Sequence, residues 1–417
     1  MVWVDSIGGS DTTGLRGRFD KPFQSPNAAK TAAQVGDTVV VFPGNYTLTD
    51  SIAKNGVNWF GYPGATLNRT PVNETGLGIF DDNGSAMSYK VDGFFHLNFF
   101  SNATGPAQSF SVHLNHASSV VQIKCAILAA GATSDDVSNG NLLVEAGKLH
   151  IEADEITQTG MGYNVYWING DMFVKANKIK SGPNIAISSD VMATPTGKLW
   201  VEAQEISASA FTVIGDGSGD AGTQTWVRAL EIRNDDNNTN TIISQQGAGK
   251  LYVEAQKITG RLGLSSIIQN ISTGKLWVKA MKISDAQLLI STSNGQTFVE
   301  CQHLEPSVRG VSVTGGELFL SGQWMPATGG TGISVTGGTA RISGLTVDTS
   351  SNNLVCPVSK TGGVLILNGS ALRSHTSRNT ISANSAQTVV AYRSYGSTAV
   401  HSNVTVSGDL TIGSYVV

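Results

Sequence analysis

The chain has little of what usually announces a function. Charged residues make up only 14% of its 417 residues, and 27 basic against 31 acidic side chains leave a net charge of −4. So small and balanced a charge argues against an electrostatic surface for nucleic acid. No run of 18 apolar residues occurs, so no membrane-spanning helix is expected. Met1 is followed by Val2-Trp3-Val4-Asp5 without a basic n-region or an apolar h-region, so no secretory signal is expected. Cys125, Cys301 and Cys356 form an odd set in unlike contexts, without a CxxC pair. They supply neither a disulfide framework nor a zinc site, and they fit assembly in a reducing compartment. His96, His113, His116 and His303 lack metal-ligand spacing and read as surface or turn residues. No metal or cofactor is implied.

What is plentiful is glycine, with 48 residues, and repetition. Gly-Lys-Leu-Trp-Val-Glu-Ala-x-x-Ile occurs as Lys198–Ile206 and, with substitutions, as Lys250–Ile258 and Lys275–Ile283. Its central apolar position recurs at Ile151, Val174, Val201, Val227, Val253 and Val278, then at Val299, Leu320, Ile342 and Ile366, every 21–27 residues. Such a period marks a repeat architecture. Around this column the residues alternate with period two, the mark of a strand. Leu199, Val201 and Ala203 face one way; Lys198, Trp200 and Glu202 face the other. A further inward column runs Ile156, Ile179, Ile206, Ile232, Ile258, Ile283 and Leu304, past a bend. A second short strand is expected at Ile187-Ser188, Ile242–Ser244, Ile267-Ile268, Leu289–Ser291, Val311–Val313 and Ile333–Val335, followed by turns such as Thr314-Gly315-Gly316. Three short strands per coil and no crossover helix predict an all-β, right-handed parallel β-helix with coils of about 21–27 residues. Residues 1–47 are expected to cap it with a short helix near Pro26–Ala33. Residues 48–145 read as irregular early coils, 146–370 as regular coils and 371–417 as terminal coils.

Two outward columns flank the central one. The first is charged: Glu152, Lys175, Glu202, Arg228, Glu254, Lys279, Glu300. Stacked strands lie about 4.8 Å apart, where like charges repel; the alternating sign therefore supports coils stacked in register and reads as a structural ion-pair ladder. The second is aromatic: after His150 it runs Phe173, Trp200, Trp226, Tyr252, Trp277, Phe298 and Phe319. So long an apolar stripe rarely faces water in a monomer. Three roles compete: burial against sister chains, cover within the chain, or a stacking platform for sugar rings.

The N-terminal segment carries a resemblance. Val4-Asp5-Ser6, Gly9-Ser10-Asp11 and Gly14, a helix with paired alanines, and then Gly36-Asp37-Thr38-Val39-Val40-Val41-Phe42-Pro43-Gly44-Asn45-Tyr46-Thr47 resemble the start of pectate-lyase-like right-handed β-helix proteins. The likeness covers residues 1–70 and is architectural beyond them. Phage tail spikes and fibres often begin this way, as do many polysaccharide-acting proteins. The resemblance implies the fold. It also raises the expectation of a phage virion protein of spike or fibre type, assembled in the bacterial cytoplasm: a homotrimer beside other tail proteins that binds a host-surface polysaccharide. A polysaccharide-degrading enzyme and a bacterial surface adhesin are the alternatives.

The enzyme alternative requires a carboxylate pair about 5–9.5 Å apart. The doublets Asp81-Asp82, Asp135-Asp136 and Asp235-Asp236 sit among turn-forming residues, and adjacent acids in a strand face opposite ways. The Gly-His-Gly and Arg-x-Lys motifs of the family's galacturonases are absent. Asp235, Asp236, Glu205 and Glu231 are the weak catalytic candidates, and Asp5 and Asp11 read as turn residues rather than calcium ligands. Binding and structure are therefore expected to outrank chemistry.

Overall fold

The computed structural model describes residues 1–70, 78–101, 109–132, 139–160, 162–189, 197–209, 212–217, 222–235, 241–261, 266–327 and 329–412. Asp135, Asp136 and Asp236 lie outside them. The chain is an all-β parallel β-solenoid of about 12 turns. It divides into two units, Met1–Ala210 and Phe211–Val417.

In the first unit the strand Val2–Val4 pairs in parallel with Thr38–Val41, and that strand with Asn58–Gly61. Ser88–Gly93, Val120–Ala132, Lys148–Gln158, Gly170–Ser181 and Gly197–Ala208 continue the ladder. One register line joins Val91, Ile123, Ile151, Val174 and Val201. A second face is built by Phe80–Asp81, Ser109–Leu114, Asn139–Val144, Tyr163–Trp167 and Ile187–Ser189, each paired with the next. The helix spans Pro26–Ala32. Ser25 caps it by accepting from the Ala28 N–H, and Pro26 opens it where a missing N–H costs nothing. Its buried Ala29 lies beside the first strands.

In the second unit Val227, Val253, Val278, Val299, Leu320 and Ile342 follow one another in register. All are 3% exposed or less, as is the whole Ile156–Leu304 column of both units. The opposite face stacks Thr212–Asp216, Thr241–Gln245, Ser266–Asn270, Leu288–Thr292, Arg309–Val313 and Ile333–Val335; all but the first lie at places expected for the second strand.

Two details differ from the sequence reading. The partner of Ile342 is Leu367, not Ile366; Ile366 pairs with Arg341 on the outer side. Val364-Leu365-Ile366-Leu367 is apolar at every position, so alternation there does not identify the frame. The regular coils also carry two strands rather than three, because one continuous strand such as Lys250–Thr259 spans both inward columns. Three strands per coil occur further on, as in Thr339–Ser343 and Thr346–Thr349. There Gly344 sits at φ 67° and interrupts the strand.

Turn glycines explain the close stacking of the second unit. Gly295, Gly316, Gly338 and Gly363 share φ values of 59–62°. A Cβ on Gly316 would lie 2.6 Å from the Gly295 carbonyl oxygen, and one on Gly338 2.4 Å from that of Gly316. Only glycine fits both the dihedral and the space.

Candidate functional site

The strands Gln224–Asn234, Lys250–Thr259, Lys275–Ser284 and Gln296–Glu305 present three outward features around a buried valine and a buried alanine or cysteine: an aromatic ring, a charge, and a larger side chain past the small residue. The rings form one stack. Trp226 and Tyr252 lie 5.3 Å apart at 10°, Tyr252 and Trp277 4.5 Å at 11°, Trp277 and Phe298 5.1 Å at 7°, and Phe298 and Phe319 4.7 Å at 7°. The Arg341 guanidinium covers the end, 5.6 Å from the Phe319 ring. The rings alternate with buried residues and are half-buried themselves, so they lie on the outside of the coils. Because each face meets its neighbour, the stripe presents ring edges rather than ring faces. In the first unit His150 and Phe173 stack at 6.2 Å, and Phe173 pairs in register with Trp200; Phe173 and Trp200 are 43% and 39% exposed.

The charged column keeps its alternation in each unit. Glu152, Lys175 and Glu202 are successive register partners, and Lys124 precedes them. Arg228, Glu254, Lys279 and Glu300 follow one another likewise. Arg228 reaches Glu254 at 3.7 Å and Lys279 reaches Glu300 at 3.4 Å. Exposed pairs of this kind contribute about 0–1 kcal/mol each.

Beyond this column lies a groove of about 440 Å³ in the second unit. Arg228, Glu254, Lys279 and Glu300 form one wall. Leu230, Gln256, Met281, Gln302 and Gln323 form the other. The floor is Ala229, Ala255, Ala280, Cys301 and Gly322, small residues that leave a trough between two rows of long side chains. Cys301 stands in register with Ala280, and burial pushes its thiol up to about 12, so it acts as a small core residue. The small-residue column faces inward as the alternation predicts, and the trough above it has no mark of its own in the sequence.

Of the catalytic candidates, Asp236 lies outside the described residues, and Asp235 and Glu231 are engaged by cations. Arg233 binds Asp235 at 2.8 Å and lies 4.0 Å from Glu231, which also meets Lys257 at 3.1 Å. Glu205 is half-buried opposite Lys178 in register. Asp5 accepts from the Ile7 N–H, and Asp11 from those of Gln24 and Ser25, as turn residues do. Among the described residues no group of three His, Cys, Asp or Glu side chains is placed to hold a metal ion, and no helix is long and apolar enough to cross a membrane.

One acidic doublet is not a surface turn. Asp81 and Asp82 are 2% and 0% exposed. Asp82 accepts from Ser119 Oγ at 2.7 Å and from the N–H groups of Asn115 and His116. His113, also buried, bridges Asp81 at 3.3 Å and Glu145 at 3.2 Å. Burial opposes its charge, but hydrogen bonds to the two carboxylates outweigh that and raise its pKa to about 10. Parallel pairing of Asp81 with His113 creates this cluster, and no local motif announces it.

No family model matches the chain, no curated protein matches it, and no solved structure matches it at a significant level.

Proposed function

We propose that this chain is a structural component of a phage virion, of tail-spike or fibre type. In this reading it forms a homotrimer that places a rigid solenoid between the particle and the host and binds a host-surface polysaccharide. The carrying observation is the outward stack from Trp226 to Phe319 on a stiff array of coils. Apolar edges aligned over five coils suit burial against a sister chain better than contact with water. They suit sugars less well, because a pyranose binds to an open ring face and these faces meet one another. The resemblance of residues 1–70 to pectate-lyase-like β-helix proteins, a start that phage spikes often share, supports the same reading, and the groove leaves a polar surface for a glycan.

The test is a panel of capsular and O-antigen polysaccharides from diverse bacteria, probed with the labelled full chain. The expected outcome is retention on a narrow set of glycans without release of oligosaccharides. Retention with release would replace this reading by that of a depolymerase. Retention on none would remove glycan binding from it.

A further inference from the structure

We propose that the groove between the charged column and Leu230–Gln323 binds an unbranched polysaccharide in which acidic and neutral sugars alternate, an inference that rests on the glycan-binding reading above. Over four of its five coils both walls repeat with the same two-coil period, and the fifth offers Ser321 and Gln323. The coil with Arg228 offers Leu230 opposite it, and the coil with Glu254 offers Gln256. The next pairs Lys279 with Met281, and the next Glu300 with Gln302. A cation with an apolar neighbour thus alternates with a carboxylate and an amide.

This pattern matches the chemistry of such a polymer. Coils about 4.8 Å apart repeat the pattern every 9.6 Å or so, close to the length of two sugars in an extended chain. A uronate carboxylate binds Arg228 or Lys279, while the apolar face of its ring lies on Leu230 or Met281. The neutral sugar between them donates hydroxyl or amide N–H groups to Glu254 or Glu300 and exchanges hydrogen bonds with Gln256 or Gln302, whose amides both donate and accept. The four ladder charges are 55–65% exposed, so their mutual pairs are weak and yield to a ligand. A polymer charged on every sugar sets carboxylates against Glu254 and Glu300, and this repulsion selects against it.

The test is calorimetric titration of the full chain with three probes: hyaluronan oligosaccharides, which alternate glucuronate with N-acetylglucosamine; oligogalacturonates, acidic at every sugar; and dextran oligosaccharides, which are neutral. Hyaluronan is expected to bind at least about tenfold more tightly than either of the others. Two variants of unchanged net charge then test the register. Exchanging neighbours, Glu254→Lys with Lys279→Glu, breaks the alternation and is expected to weaken hyaluronan binding at least about tenfold. Inverting both walls, with Arg228→Glu, Glu254→Arg, Lys279→Glu and Glu300→Lys together with Leu230→Gln, Gln256→Leu, Met281→Gln and Gln302→Met, keeps the alternation and its pairing across the groove. The polymer then shifts by one sugar and binds within about threefold of the parent. Equal binding of the three probes, or an exchange variant that binds like the parent, overturns the groove assignment. If dextran binds regardless of both charge variants, the groove assignment falls while the glycan-binding reading stands. If neither these probes nor any polysaccharide of the bacterial panel binds, both fall.

Discussion

Single residues fix this chain where coils touch. Gly316 combines φ 62° with a Cβ position 2.6 Å from the carbonyl oxygen below. Gly316→Ala is therefore expected to destabilise the chain by about 2–4 kcal/mol, read from urea unfolding, whereas Gly17→Ala, with nothing within 4 Å, carries only the dihedral penalty of about 1 kcal/mol. His113 is the second such point. Its folded pKa of about 10 lies above the ordinary 6.5, so the folded chain holds this proton more tightly than the unfolded chain. The stabilisation is complete below about pH 6.5 and disappears as pH rises through about 10. Unfolding midpoints measured from pH 6 to 10 should fall more steeply for the parent than for His113→Gln, and parallel curves would refute the bridge. Asp37 acts in the opposite sense. Hydrogen bonding to Arg16 holds it well below the carboxylate range, so its contribution is present at neutral pH and is lost on acidification.

Strands, rather than residues, carry the surface chemistry. Parallel register converts every outward position into a column, and each column acts as one object. Removing Trp277 opens the stack between Tyr252 and Phe298. Trp277→Ala is expected to cost about 1–3 kcal/mol through two lost ring contacts, and Tyr252→Ala about as much. Thermal melts of both variants, compared with Trp3→Ala outside the stack, test whether the rings act together. The strands also show what the sequence discloses. The valine column is legible because apolar, mostly β-branched residues alternate with polar ones over nine repeats, from Ile151 to Ile342. The frame at Ile366 is not, because four apolar residues in a row carry no alternation. The Asp81–His113–Glu145 cluster is illegible for another reason: its members lie 32 residues apart in succession, across the least regular coils. The groove stands between these cases. The column Ala229, Ala255, Ala280, Cys301, Gly322 is plain in the sequence, but only the bend after it shows that small residues there leave room outside.

For the whole molecule, a solenoid grows by neighbour contacts alone, and its surface consists of parallel stripes running across the coils. In the second unit these are an aromatic stripe, a charged stripe and a trough. The proposed division of labour assigns the first to sister chains and the last to a glycan, with the charged stripe between them forming one wall of the trough. That assignment places assembly and recognition on different columns, so a variant can lose one and keep the other. Trp226→Ala with Trp277→Ala is expected to impair assembly and to leave polysaccharide binding per chain within about threefold. The direct test of the central claim is sedimentation equilibrium of the full chain at micromolar concentration. A single species of three chains that dissociates in the doubly substituted variant is the predicted result; a monomer for the parent chain would contradict it.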